Sequence, residues 1–182
     1  GERKIPGIYD VKMVGVNYRL AEIPSALGRQ QLSRIKEILD RRRSNFELLK
    51  QGLVEILGLR VIDAVNPEAE QSYYCLSVVL EGEMGRRRDE IIQKLNEAGV
   101  GTSVYYPQPV PRMTYYRNKY GYDHGMFKAA AEISDQSIAL PVGPHVSHDD
   151  IRHITETFNR LFKGNPGNSM DSNATPVQGR RI

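Results

Sequence analysis

Two polar residues near the start of the chain, Asn17 and Arg19, stand in a G-x-N-Y-R turn that feeds directly into an amphipathic segment. An amide and a guanidinium at that spacing are hydrogen-bond donors of the kind that hold an anion. The competing reading is a helix-entry turn in which the asparagine satisfies backbone groups. A second cluster gathers Tyr105, Tyr106, Tyr115, Tyr116, Tyr120 and Tyr122 around Pro107, Pro109 and Pro111. Tyrosines on a proline-stiffened extended loop can line a polar-ligand pocket, or they can pack on the core and hydrogen-bond locally. The histidines at 124, 145, 148 and 153 have no cysteine partner and no adjoining carboxylate pattern. His148 and His153, five apart on a helix, project to different sides, so solvated or capping roles are favoured over a metal site. Cys75 lies in an apolar run and reads as a small buried hydrophobe. Arginine runs at 41–43 and 86–88 point three ways on a helix and have no interleaved aromatics, which favours solvated surface or subunit salt bridges over nucleic acid. The chain contains no GxGxxG, GxxxxGK[ST], HExxH or G-x-S-x-G motif, so a self-sufficient catalytic constellation is not expected.

The elements that must position these groups follow from periodicity. Apolar residues Ile23, Ala26, Leu27, Ile35, Ile38, Leu39, Phe46, Leu49, Leu53 and Ile56 recur at helical spacing, predicting one long helix over 21–57 that buries this stripe and stops at Gly58. Pro24 fits only in its first turn. Strands are expected at 59–62, 73–80, 100–106 and 138–140. Helices are expected at 89–98 and after Ser147, whose pairing with Asp150 makes a capping-box-like start. The order predicts an α+β fold, a long helix followed by a mostly antiparallel sheet with helices on one face. Residues 164–182 are rich in Gly, Asn, Ser and Pro and read as a flexible tail.

Composition agrees with an ordinary globular protein: 182 residues, 40% hydrophobic and 26% charged, with a net charge of +3 from 25 basic and 22 acidic residues. Near-balanced charge does not call for nucleic acid. Without a run of about 18 apolar residues or a signal-peptide core, neither a membrane span nor secretion is expected, and a cytoplasmic location is the default.

Several motifs occur together in order. G-x-N-Y-R-L-x-E-I-x-x-A-L-G-x-x-Q-L is followed by R-R-R, then G-V-G-T-S-V-x-Y-P, then Ala131-Glu132 leading to S-I-A-L-P at 137–141 and a capped final helix. Over residues 10 to 162 this succession resembles the C-terminal part of the DegT/DnrJ/EryC1/StrS aminotransferases. The resemblance implies the small domain of the aspartate-aminotransferase (type I) fold. It also implies pyridoxal 5'-phosphate as cofactor, an amino-acid donor such as glutamate, a nucleotide-sugar acceptor and a homodimer.

On this resemblance residues 1–20 are the connection from a large cofactor domain, 21–163 the small domain and 164–182 the tail. Asn17, and after it Arg19, would reach across the dimer to the partner's cofactor phosphate. Ser103, Tyr105 and Tyr106 would fall on the substrate side. Where the family commonly reads S-x-H-Y-P, this chain has Tyr105, which carries no positive charge at neutral pH and leaves the sugar open. The cofactor lysine, the acid at the pyridine nitrogen and the stacking ring belong to the family's large domain. None of this chain's lysines stands in the cofactor-lysine context, so no catalytic residue is expected here and the chain alone is expected to be inactive. A dehydratase of the same fold and a non-catalytic interaction module are the alternative readings.

Overall fold

A computed structural model of the protein describes residues 18–64, 66 and 68–163. Asn17 and the 164–182 segment lie outside the described residues. The chain divides between Ile35 and Lys36 into two compact units.

The first unit contains helix α1, Glu22–Leu32, with Pro24 in its first turn and no buried residue. The continuous helix expected over 21–57 is two helices, because Ser33 and Arg34 interrupt it. The Ser33 hydroxyl donates to the Gln30 carbonyl at 2.8 Å, and the Arg34 N–H takes the Gln31 carbonyl, tightening the last turn. The stripe over Ile23, Ala26 and Leu27 is exposed rather than buried, and Ile38 and Leu39 are half-buried.

The second unit, from Lys36, takes up all but the first residue of α2, Ile35–Leu53, whose buried face is Asn45, Phe46, Leu49 and Leu53. The chain then turns through Gly58, at φ 82°, into β1, Leu59–Val61, and reaches β2, Leu76–Leu80. The strand expected from 73 starts later because Tyr73 adopts a left-handed φ of 47°, its ring set edge-on to Phe46 at 5.2 Å. Short α3, Glu83–Arg86, precedes α4, Arg88–Glu97, which buries Ile91 and Leu95. The expected strand at 100–106 is reduced to one bridge, Ser103 with Ala139, since glycines precede it and Pro107, Pro109 and Pro111 supply no backbone donors.

A 3-10 turn at Val110–Arg112 and α5, Thr114–Tyr120, replace the wholly extended tyrosine loop that the sequence suggested. Helix α6, Lys128–Gln136, runs straight into β3, Ser137–Leu140, and α7, His148–Lys163, closes the described chain. The start of α7 is the predicted box. The Asp150 N–H donates to the Ser147 hydroxyl oxygen at 3.2 Å, and the Ser147 N–H donates to the Asp150 carboxylate at 2.8 Å.

The fold is α+β. The three strands form an antiparallel sheet in the order β1-β2-β3, registered by Val61 opposite Val78 and Val78 opposite Ile138. Leu76, Val78, Leu80, Ile138 and Leu140 meet Phe46, Leu49, Leu53, Ile91, Leu95, Ile151, Ile154 and Phe158 in one core. Thus α2, α4 and α7 cover one face. The row Arg60, Val79, Ser137 belongs to the other face, where Arg60 reaches Glu132 of α6 at 3.2 Å and α6 packs on β2 and β3. No helix of the described residues is long and apolar enough to cross a membrane.

Candidate functional site

Tyr105 and Tyr106 come together on the wall of a groove of about 690 Å³ that belongs wholly to the second unit. Their placement starts at β3: Ser103 and Ala139 exchange backbone hydrogen bonds at 3.0 and 2.8 Å, fixing where the chain leaves the sheet. The chain then bends at Tyr105, Pro107 and Gln108, and Pro109, with its ring-fixed φ of −67°, leads it into the 3-10 turn. The 3-10 turn that follows is pinned to α6 by Arg112, whose guanidinium donates to both Asp135 oxygens at 2.8 and 2.9 Å. The lining also takes in Ile133 and Ser134 of α6, with Phe127 just before that helix and Met113 just before α5.

The groove is mainly apolar. Besides the tyrosine hydroxyls, Gln108 and Ser134 bring the polar side chains of the lining, and no charged residue lines it. Ser103 is not among the lining residues; its backbone anchors the loop instead. The rings remain accessible, Tyr106 at 68%, Phe127 at 49% and Tyr105 at 39%.

Behind Tyr105 stands Tyr74, with ring centroids 5.9 Å apart. The neighbouring Tyr105 phenol raises the Tyr74 pKa above its ordinary value. The Arg42 guanidinium of α2 lies 5.9 Å over the Tyr74 ring, and its buried Nε has no hydrogen-bond partner. Sequence reasoning missed Tyr74, Phe127 and Gln108. Tyr74 was absorbed into a strand, and no spacing ties it to a tyrosine across the fold.

The remaining candidates fall elsewhere. Arg19 is exposed in the first unit, three residues ahead of α1. His153 Nε2 donates to the Ala98 carbonyl at the end of α4, at 2.8 Å, and His148 lies 3.4 Å from the Ser44 hydroxyl. Among the described residues no three His, Cys, Asp or Glu side chains group as a metal site. Cys75 is half-buried, 3.7 Å from the Ser77 hydroxyl. Arg86, Arg87 and Arg88 make local ion pairs with Glu83, Glu90 and Asp89 at 2.8–3.0 Å.

Residues 3–159 match the model of the DegT/DnrJ/EryC1/StrS aminotransferase family. The chain is 28% identical over 158 residues to the spore coat polysaccharide biosynthesis protein SpsC of Bacillus subtilis, covering 86% of this chain and 40% of SpsC. It is 27% identical over 148 residues to the dTDP-3-amino-3,4,6-trideoxy-alpha-D-glucose transaminase of Streptomyces venezuelae, covering 81% and 37%. Among solved structures, Helicobacter pylori PseC, an aminotransferase involved in the biosynthesis of pseudoaminic acid, superposes with a TM-score of 0.77 at 19% identity, over 88% of this chain and 42% of PseC. That last likeness is one of fold. The chain spans about 40% of the length of the relatives it matches.

Proposed function

The chain belongs to the DegT/DnrJ/EryC1/StrS aminotransferase family, and from that membership we propose that it is the C-terminal small domain of a pyridoxal-phosphate aminotransferase moving an amino group from an amino acid, glutamate foremost, to a keto-sugar nucleotide. The observation that carries the reading is the groove at Tyr105 and Tyr106, a ligand-sized concavity on the loop where the family resemblance puts the substrate side. In this proposal the protein is a cytoplasmic homodimer, and Asn17, with Arg19 after it, contributes to a cofactor phosphate site in the partner protomer.

The groove itself does not fit pyridoxal phosphate. Its lining brings no lysine to form a Schiff base, no carboxylate for the pyridine nitrogen and no cation for the phosphate. The chemistry of transamination is therefore assigned to no residue of this chain, whose part is to wall the substrate and to make dimer contacts. The purified chain, given pyridoxal phosphate, glutamate and a keto-sugar nucleotide, is expected to show no turnover. Sustained amino-sugar formation by this polypeptide alone would sink the reading. The coding sequence upstream of Gly1 supplies a second test, with an in-frame cofactor-lysine domain as the expected result.

A further inference from the structure

The parts of the chain that line the groove are held in place very differently. Helix α6 is tied to two other elements. Its Glu132 takes the Arg60 guanidinium of β1 at 3.2 Å. The Ser134 carbonyl, one of the last-turn acceptors that the helix itself leaves open, takes Arg88 of α4 at 2.8 Å. The segment 104–113 has less to hold it. It leaves the sheet at the Ser103–Ala139 bridge and ends in the 3-10 turn, and neither that turn nor α5 after it contains a buried residue. Packing therefore fixes this part weakly. The Arg112 and Met113 N–H groups are spent inside the turn, on the Pro109 and Val110 carbonyls. Tyr105 rests near Tyr74 at 5.9 Å, whereas Tyr106 is 68% exposed, so the loose part of the wall starts at Tyr106.

Among the described residues, the hydrogen bonds that join this segment to α6 are those from Arg112 to Asp135. Pro111 and Met113, on either side of Arg112, line the groove, and so do Ile133 and Ser134 just ahead of Asp135. The pair thus spans from one lining segment to the other. Both bonds come from one nitrogen, Nη1, so the guanidinium acts here as a point charge rather than as a fork.

We propose that Arg112 and Asp135 are positioning residues: their ion pair is a clasp that holds the 104–113 segment against α6 and sets the width of the groove, with the Ser103 bridge as its hinge. The clasp stands on this geometry, and its role in binding rests on the reading above that the groove walls a substrate.

The test uses NMR of the full 182-residue chain labelled at methionine methyls and tyrosine rings. Asp135→Asn keeps the size of the side chain and removes its charge. It is expected to shift the Met113 and Tyr106 signals, neither of them a sequence neighbour of position 135, while melting and the signal of Met84, packed against the core, stay as in the wild type. Arg112→Met keeps the apolar stem and is expected to move Tyr106 the same way, with the double variant going no further than either single change. Arg112→Lys supplies one charged nitrogen again and is expected to leave the Tyr106 signal at its wild-type position. Met113 and Tyr106 indifferent to Asp135→Asn, additive shifts in the double variant, or a lowered melting temperature with Met84 displaced as well would each overturn the clasp. The probe for binding is dTDP-glucose, whose Kd is expected to rise about threefold in Asp135→Asn. Equal affinity for both chains, with Tyr106 displaced, overturns the role in binding. Failure of dTDP-glucose to bind the wild type counts against the substrate-wall reading and leaves the clasp standing on the ring and methyl signals.

Discussion

Asn45 ties α2 to the loop ahead of α7: its side-chain N–H groups reach the Gly143 carbonyl at 3.1 Å and the Val146 carbonyl at 2.9 Å. The residue is buried, and the Gly143 carbonyl keeps the Val146 N–H, so Asn45→Ala leaves the Val146 carbonyl without its side-chain donor and is expected to cost about 1–3 kcal/mol in urea unfolding. Asp63 is held differently. The Lys50 ammonium, with Gln71 beside it, lowers its carboxyl from the ordinary 3.8 to about 2. The folded pKa lies below the unfolded one, so the stabilisation is fully present above pH 3.8 and is lost as pH falls toward 2. Asp63→Asn should flatten the melting curve against pH in that window, by a modest amount because both partners are about one-third exposed. A wild-type profile already flat there would remove Asp63 as the cause. Neither role was legible in the sequence. The partners of Asn45 are backbone groups far along the chain, and Lys50 meets Asp63 only because β1 folds back beside α2.

Helix packing sets a limit at Gly52, where α2 passes α7. A methyl group added there would lie 2.6 Å from both Cγ2 and Oγ1 of Thr155. Gly52→Ala gains about 1 kcal/mol of helix propensity, but overpacking costs roughly 1–3 kcal/mol, so net destabilisation is expected in thermal melts. Combined with Thr155→Ala the same change should become stabilising; additive single effects would show that the two helices do not meet as described. The elements that the sequence disclosed were those with their own punctuation. The start of α7 was readable from Ser147 and Asp150, and the end of α4 from Gly99, which sits at φ 85°. The break between α1 and α2 was hidden because apolar spacing continues across Ser33. Helix α6 was hidden too, its buried Ala131 and Ser134 being too small to write a stripe. At the candidate site, Tyr105 and Tyr106 were visible as a tyrosine–proline run, whereas the rest of the lining, Phe127 and the α6 residues, was not.

For the whole molecule, the α+β class was legible because helix and strand periods alternate along the chain. Less visible was how much apolar surface would stay open. Helix α1 exposes Ile23 at 85% and Leu27 at 62%, together with Leu32, and Leu20 just ahead of it is exposed too. A patch of this kind favours association, so sedimentation of the wild-type chain should show self-associated species, and Ile23→Glu with Leu27→Glu should return it toward monomer. A clean wild-type monomer would count against this surface as a contact. The order β1-β2-β3 carries one more consequence, for synthesis on the ribosome. Strand β2 finds β1 soon after it emerges, but its other edge, from Leu76 to Val79, waits for Ser137–Leu140, after α3, α4, α5 and α6 have all been translated. Until then it is an open template for a neighbouring nascent chain. The groove wall is anchored through Ser103 to Ala139 of that late strand, so the ligand surface is assembled last, and translation that stalls before Ser137 releases a product with both a bare edge and no site.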